Sequence, residues 1–129
     1  DKGIIKMKTV SIINLKGGVA KTLTTISMAH ILSETYGKRV LVVDNDKQGN
    51  TSKTFGIHSY DRKSVADLML DRNANLDEII QHTRYPRIDA IQANMSLLTA
   101  NMQVMMDSSR PQQTRLRAAL RKVSSQYDY

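Results

Sequence analysis

Cysteine and tryptophan are absent from the 129 residues, and the chain holds one phenylalanine and two prolines. Without cysteine there is no disulfide and no thiolate-held metal or cluster. Aromatic residues make up 5% of the chain, too few for the stacking platforms that grip single-stranded nucleic acids. No apolar run approaches the roughly 18 to 20 residues that cross a bilayer. The three histidines, His30, His58 and His82, lack metal-ligand spacing. Repeats and low-complexity tracts are missing as well. What stands in excess is positive charge: 19 Lys and Arg against 12 Asp and Glu, a net +7. That balance suits polyanions, among them nucleotide phosphates, DNA and anionic membrane surfaces. With so few aromatics, any DNA contact is expected to be electrostatic. The length fits one domain with a sizeable core.

The pattern of residues predicts alternating strands and helices. Met7 to Ile13 reads as a first strand, its Val10, Ile12 and Ile13 β-branched as in a strand buried on both faces. Residues 1–6 are read as a leader ahead of a natural start at Met7. Lys21 to Tyr36 predicts a helix with Leu23, Ile26, Ala29, Leu32 and Tyr36 on one face, closed by Gly37. Arg39 to Asp44 predicts a second strand, and strand, helix, strand makes a right-handed parallel unit. Ser64 is the expected N-cap of a short helix to Leu70, and Leu76 to His82 is read as another. Arg87 to Ala93 predicts a third strand with Ile88 and Ile91 in the core. Leu98, Met102, Met105 and Met106 recur at helical spacing, a stripe expected to pack inward. Arg110-Pro111 breaks the chain before a last helix, Gln112 to Ser124. There Leu116, Leu120 and Val123 take one side, and Arg115, Arg117, Arg121 and Lys122 a solvated basic face.

Between the first strand and the first helix lies Leu15-Lys16-Gly17-Gly18-Val19-Ala20-Lys21-Thr22. Strand, glycine turn, Lys-Thr, helix is the order of a phosphate-binding loop. Amides of the turn make an anion nest, and the helix N-terminus adds unpaired donors and its positive dipole end. Lys21 is placed to reach β- and γ-phosphates and the Thr22 hydroxyl to bind Mg²⁺. Leu15 and Ala20 stand where the general G-x-x-x-x-G-K-[ST] pattern has glycine, whereas K-G-G-x-G-K-[ST] fits at every position but Ala20. At the end of the second strand comes Asp44-Asn45-Asp46-Lys47-Gln48-Gly49-Asn50, in the zone beyond strand carboxyl ends where parallel sheets bind ligands.

These two strings together resemble the deviant Walker A motif and the D-x-D-P-Q-G-N motif of the ParA/Soj/MinD ATPases, with Lys47 in place of the proline. Ile91-Gln92-Ala93-Asn94 is similar to that family's I-P-x-N strand end, with Gln92 for proline. Tyr127-Asp128-Tyr129 is similar to the Y-D-Y that introduces its Walker B strand. The resemblance runs from Met7 to the last residue and implies the N-terminal portion, about half, of a P-loop NTPase-like α/β domain, a parallel sheet flanked by helices. It implies ATP and Mg²⁺ as cofactors, with Lys16, Gly17, Gly18, Val19, Ala20, Lys21, Thr22 and Leu23 about the nucleotide and Thr22 and Asp44 about the metal. Asp46 would orient the attacking water, and Lys16 would cross to the nucleotide of a partner in an ATP-dependent homodimer.

The function so implied is hydrolysis of ATP in partitioning plasmid, chromosomal or mobile-element DNA, with a ParB-like protein and non-specific DNA as partners. The expected location is the cytoplasm, with nucleoid association if DNA is bound. The Gln-Gly-Asn of the second string favours ParA/Soj over a MinD-like ATPase that positions division machinery at a membrane surface. A non-catalytic dimerisation module is the third reading. Ala20 is harmless only where the backbone is helical, since a left-handed position would cost on the order of 1 kcal/mol. An incomplete sheet would also expose the first strand's edge to pairing with a second copy.

Overall fold

Val40 to Val43 is three valines around a leucine, and such a β-branched run belongs in a strand covered on both faces. In the computed structural model, which describes residues 7–13, 19–111 and 114–129, it forms β1. β1 (Val40–Val43) lies parallel to β3 (Ile88–Ile91), Val40 opposite Ile88 and Val43 opposite Ile91. β2 (Gln81–His82) adds antiparallel to the far side of β3, giving the order β1-β3-β2.

Helices cover the sheet. α1 (Val19–His30) precedes β1. Four short helices and one longer one follow it: α2 (Asn50–Thr54), α3 (Val65–Leu70), α4 (Leu76–Ile79), α5 (Ser96–Met106) and α6 (Arg115–Arg121). Side chains alternate across the pleat. Val40, Val42, Ile88 and Ala90 face Ala29 and Phe55, with Ile26, Leu32 and Tyr85 half-buried around them. Ile91, with Leu41 and Val43 beside it, faces α3, α5 and α6 through Leu68, Leu97, Val104 and Ala119, with Val123 just past α6 in the same cluster. Burying each large aliphatic of this kind contributes about 1.5–3 kcal/mol.

Several expectations hold. Ile88 and Ile91 are core residues. Gly37 has φ +63° just after the first helix. Ser64 caps α3 in a reciprocal box: its hydroxyl accepts from Ala66 N–H, and Asp67 accepts from Ser64 N–H at 2.8 Å. The α/β class with a parallel pair is as the sequence implies.

Others do not hold. Met7 to Ile13 joins no ladder, and Ile13 is 81% exposed. The reason is geometric. Asp128 N–H donates to Arg39 O at 2.8 Å and Leu41 N–H to Tyr129 O at 2.9 Å, while Lys8 N–H donates to Asp128 O at 2.9 Å. Tyr127 to Tyr129 therefore stands between the first segment and β1, keeping them a strand's width too far apart to pair. The parallel partner of β1 is β3 instead.

The first helix begins at Val19, and its regular part stops at His30. It continues as a π-helical turn, Ile31–Thr35. Of the expected face Ala29 is buried, while Leu23 is 62% exposed and Tyr36 is exposed. Leu76 to His82 is not one helix: α4 ends at Ile79, and Gln81 and His82 pair with Ala90 and Asp89. A ladder to β3 outcompetes the weak helical preference of so short a run. The methionine stripe points outward. Leu97, Ala100 and Val104 carry α5's contact with the core, and Leu98, Met102, Met105 and Met106 are exposed. Both sets share helical spacing, and the burying face is the one about 100° round from the stripe.

On α6, Arg115 is not part of a solvated face. It is 2% exposed, with Nη1 donating to Met69 O at 2.7 Å and Nη2 to Asp107 Oδ2 at 2.6 Å. No helix among the described residues is long and apolar enough to cross a membrane.

Candidate functional site

β1 ends at Val43, and the chain turns at once beside the start of α1. Asp44, first past the strand, is 6% exposed and still tied to the sheet by its N–H to Ile91 O at 3.0 Å. Its carboxylate is held by three donors. Oδ1 accepts from Asp46 N–H at 3.2 Å, and Oδ2 accepts from Ser52 N–H at 3.0 Å and Ser52 Oγ–H at 2.6 Å. Ser52 Oγ also accepts Ala93 N–H at 3.0 Å. Asp44 thereby ties the ends of β1 and β3 to the first turn of α2. Ser52 has no signal in the sequence beyond its place two residues after the Gln-Gly-Asn string, and its role emerges only from these contacts.

Asp46 is next in the turn. Gln48 N–H donates to its Oδ1 at 3.0 Å, and its own carbonyl accepts Gly49 N–H at 2.8 Å. The Gln48 amide, and after it the Lys21 ammonium, hold this carboxyl below the usual range against the opposing effect of burial. Gly49 closes the turn at φ +66°, and a Cβ there would lie 2.5 Å from Ala93 O. Only glycine fits both the angle and the space. Lys47, which departs from the proline of the motif this turn resembles, is exposed and leaves the turn closed.

Across from the turn, α1 opens at Val19 with Ala20, Lys21 and Thr22 in its first turns and no acidic residue among them. Ala20 is helical, and no described non-glycine residue has positive φ. The condition on which its methyl is tolerated is met. Lys21 Nζ reaches Asp46 Oδ2 at 3.0 Å. Thr22 is half-buried, and Leu23 faces outward. Lys16, Gly17 and Gly18 lie outside the described residues. A groove of about 490 Å³ passes Lys21, Thr22, Asp44, Asp46 and Asn50 and runs on between the 7–13 segment and β1.

The chemistry of this set suits a magnesium polyphosphate. A helix with no acidic residue in its own first turn offers N–H donors and a positive dipole end to an anion. Among the described residues no cluster of three or more His, Asp or Glu could hold a metal alone. A cation here would take most of its ligands from phosphate oxygens and water, as Mg²⁺ does. Thr22 would supply a hydroxyl. Asp44, already engaged by three donors, would act on the metal's water shell.

A family model described as an AAA domain matches residues 7–129. The sporulation initiation inhibitor protein Soj of Bacillus subtilis is 38% identical over 123 residues, 95% of this chain and 47% of that protein. Cobyrinic acid a,c-diamide synthase from Mycobacterium smegmatis, solved with an ATP analogue and magnesium, superimposes with TM-score 0.79 at 32% identity. The match covers 90% of this chain and 46% of that one. A Cyanothece McdA variant solved with ATP gives TM-score 0.82 at 26% identity over 96% and 46%. The chain thus spans less than half the length of each of these proteins.

Proposed function

The chain belongs to the AAA-domain family of ParA/Soj-type P-loop ATPases, and from its site we propose that it binds Mg·ATP and serves ATP-driven partition or positioning of DNA. The convergence of Lys21, Thr22, Asp44 and Asp46 at the start of α1, whose own first turn holds no acidic residue, carries this reading.

In it, Lys21 neutralises charge on the β- and γ-phosphates, and Thr22 gives Mg²⁺ its hydroxyl. The metal, when bound, withdraws charge from the phosphate oxygens. Phosphoryl transfer asks little covalent chemistry of a protein and much positioning. Asp46, fixed by Gln48 N–H and Gly49 N–H, orients the attacking water. Asp44 keeps that turn in register with the sheet. Lys16, Gly17 and Gly18 complete the anion nest, with Lys16 acting on the nucleotide of a partner copy. ATP-dependent homodimerisation then creates the state that binds non-specific DNA, and a ParB-like protein stimulates hydrolysis. The net charge of +7 favours the DNA step.

Calorimetry with Mg·ATP tests the site. Lys21→Ala should weaken binding at least tenfold. Lys16→Ala should retain binding and lose ATP-dependent dimerisation by light scattering. No heat with wild-type protein would overturn the proposal. Sedimentation with DNA and with anionic vesicles, with and without ATP, separates partition from a membrane-surface role.

A further inference from the structure

The lysine assigned to phosphate has an anionic partner within the chain. Its Nζ lies 3.0 Å from Asp46 Oδ2, across 25 residues of sequence, with side-chain exposures of 27% and 34%. The two partners are unequally free. Asp46 is pinned at Oδ1 by Gln48 N–H, at its carbonyl by Gly49 N–H, and through its own N–H by Asp44. Lys21 sits on a flexible four-carbon stem and can swing. A carboxylate oxygen and a phosphate oxygen are the same kind of acceptor to an ammonium: anionic, and at similar hydrogen-bond distance.

We propose that Asp46 is a built-in competitor, a carboxylate that occupies Lys21 in place of phosphate and lowers the chain's affinity for polyphosphates until they displace it. This rests on the phosphate-site reading above and adds a second role for Asp46, exercised before any water is positioned. Two effects act together. An incoming polyphosphate must break the Lys21–Asp46 pair, and it meets the repulsion of a carboxylate fixed by the turn. Both disappear when the carboxylate charge is removed with its shape kept.

Asp46→Asn does this, since the amide carbonyl can still accept Gln48 N–H and hold the turn. The probe is inorganic tripolyphosphate, titrated calorimetrically in magnesium-free buffer so that no metal bridges Asp46 to the ligand. Asp46→Asn should bind it roughly three- to tenfold more tightly than wild type at low salt, the gain shrinking as salt screens the charges. In the Lys21→Ala background the same substitution should give less than half of that gain, as the double-mutant cycle requires of coupled partners. A second readout needs no ligand: labelling of Lys21 by an amine-reactive reagent, followed by peptide mass spectrometry, should speed up in Asp46→Asn while Lys63 is unchanged.

Equal or weaker tripolyphosphate binding by Asp46→Asn overturns the competitor role and leaves the phosphate site standing. So does a gain undiminished in Lys21→Ala, or unaltered Lys21 labelling. If neither wild type nor Asp46→Asn binds tripolyphosphate, the phosphate-site reading fails, and the competitor role with it.

Discussion

Ser52 Oγ lies 2.6 Å from Asp44 Oδ2 and, on its other side, takes Ala93 N–H at 3.0 Å. One buried hydroxyl thus joins the two parallel strands just where the candidate site begins. Ser52→Ala should leave Ala93 N–H without a partner and remove a donor from a buried carboxylate. A cost of about 1–3 kcal/mol is expected by urea denaturation. Ser52→Thr, which keeps the hydroxyl, should recover most of it.

Gly49 and Gly37 offer a controlled comparison, since both have φ near +65° but only one is crowded. Gly37→Ala meets open space and should cost about 1 kcal/mol for the left-handed angle alone. Gly49→Ala adds the collision with Ala93 O and the His58 ring and should exceed about 3 kcal/mol. Paired melting curves on the two variants give the comparison, and equal costs would refute the packing account.

Gln92 is wholly buried at the end of β3. Its Oε1 accepts Ser59 N–H at 2.6 Å, and its Nε2 donates to Arg62 O and Lys63 O, both at 3.1 Å. It fastens the loop after α2 to the sheet. Gln92→Leu, similar in volume, should strip those bonds, and trypsin should then cut at Arg62 and Lys63 several times faster than in wild type. Unchanged cleavage would show that the loop is held by other means.

Asp107 is held down to about 2 by the Ser109 hydroxyl and amide, and then by Arg115. Its folded value is below the ordinary carboxyl value, so its stabilising effect is complete above about pH 4. That effect fades as pH falls from about 4 toward 2. Wild-type melting temperature should drop across this window. Asp107→Asn should begin lower and show a shallower drop, since its side chain no longer takes up a proton.

The exposed stripe on α5 makes a stability prediction opposite to the one its sequence suggests. Met105→Lys or Met102→Lys should change stability by no more than about 0.5 kcal/mol. Leu97→Ala, on the buried face, should cost about 2–5 kcal/mol. Equilibrium unfolding of the three variants separates the faces.

How much of this was legible beforehand follows the range of the interactions. The Ser64 cap, the Gly37 cap and the β-branched run of β1 are settled by residues within four positions of one another, and each was readable; the reciprocal bond from Ser64 N–H to Asp67 was not read beforehand. The outward methionines, the split at Ile80 and the burial of Arg115 were not. Helical spacing is satisfied equally by two neighbouring stripes of α5, and only α3 and the sheet select one. Gln81 and His82 become a strand because β3 offers them partners. Arg115 is buried because Met69, 46 residues away, and Asp107, across the break at Pro111, meet its guanidinium.

By itself the sequence determined the family, the α/β class, and the residue types gathered for phosphate: a lysine and a hydroxyl at a helix start, and two aspartates after a strand. Those are local strings whose chemistry is set by side chains a few residues apart. The tertiary structure alone decided which donors each aspartate meets, since Asp44 is spoken for by Ser52 and Asp46 by Lys21. It likewise decided that Tyr127 to Tyr129, not the first segment, lies against β1. Hydrogen bonds across 8, 25 or 89 residues depend on where the packed layers bring the chain, and no spacing rule along the sequence encodes that.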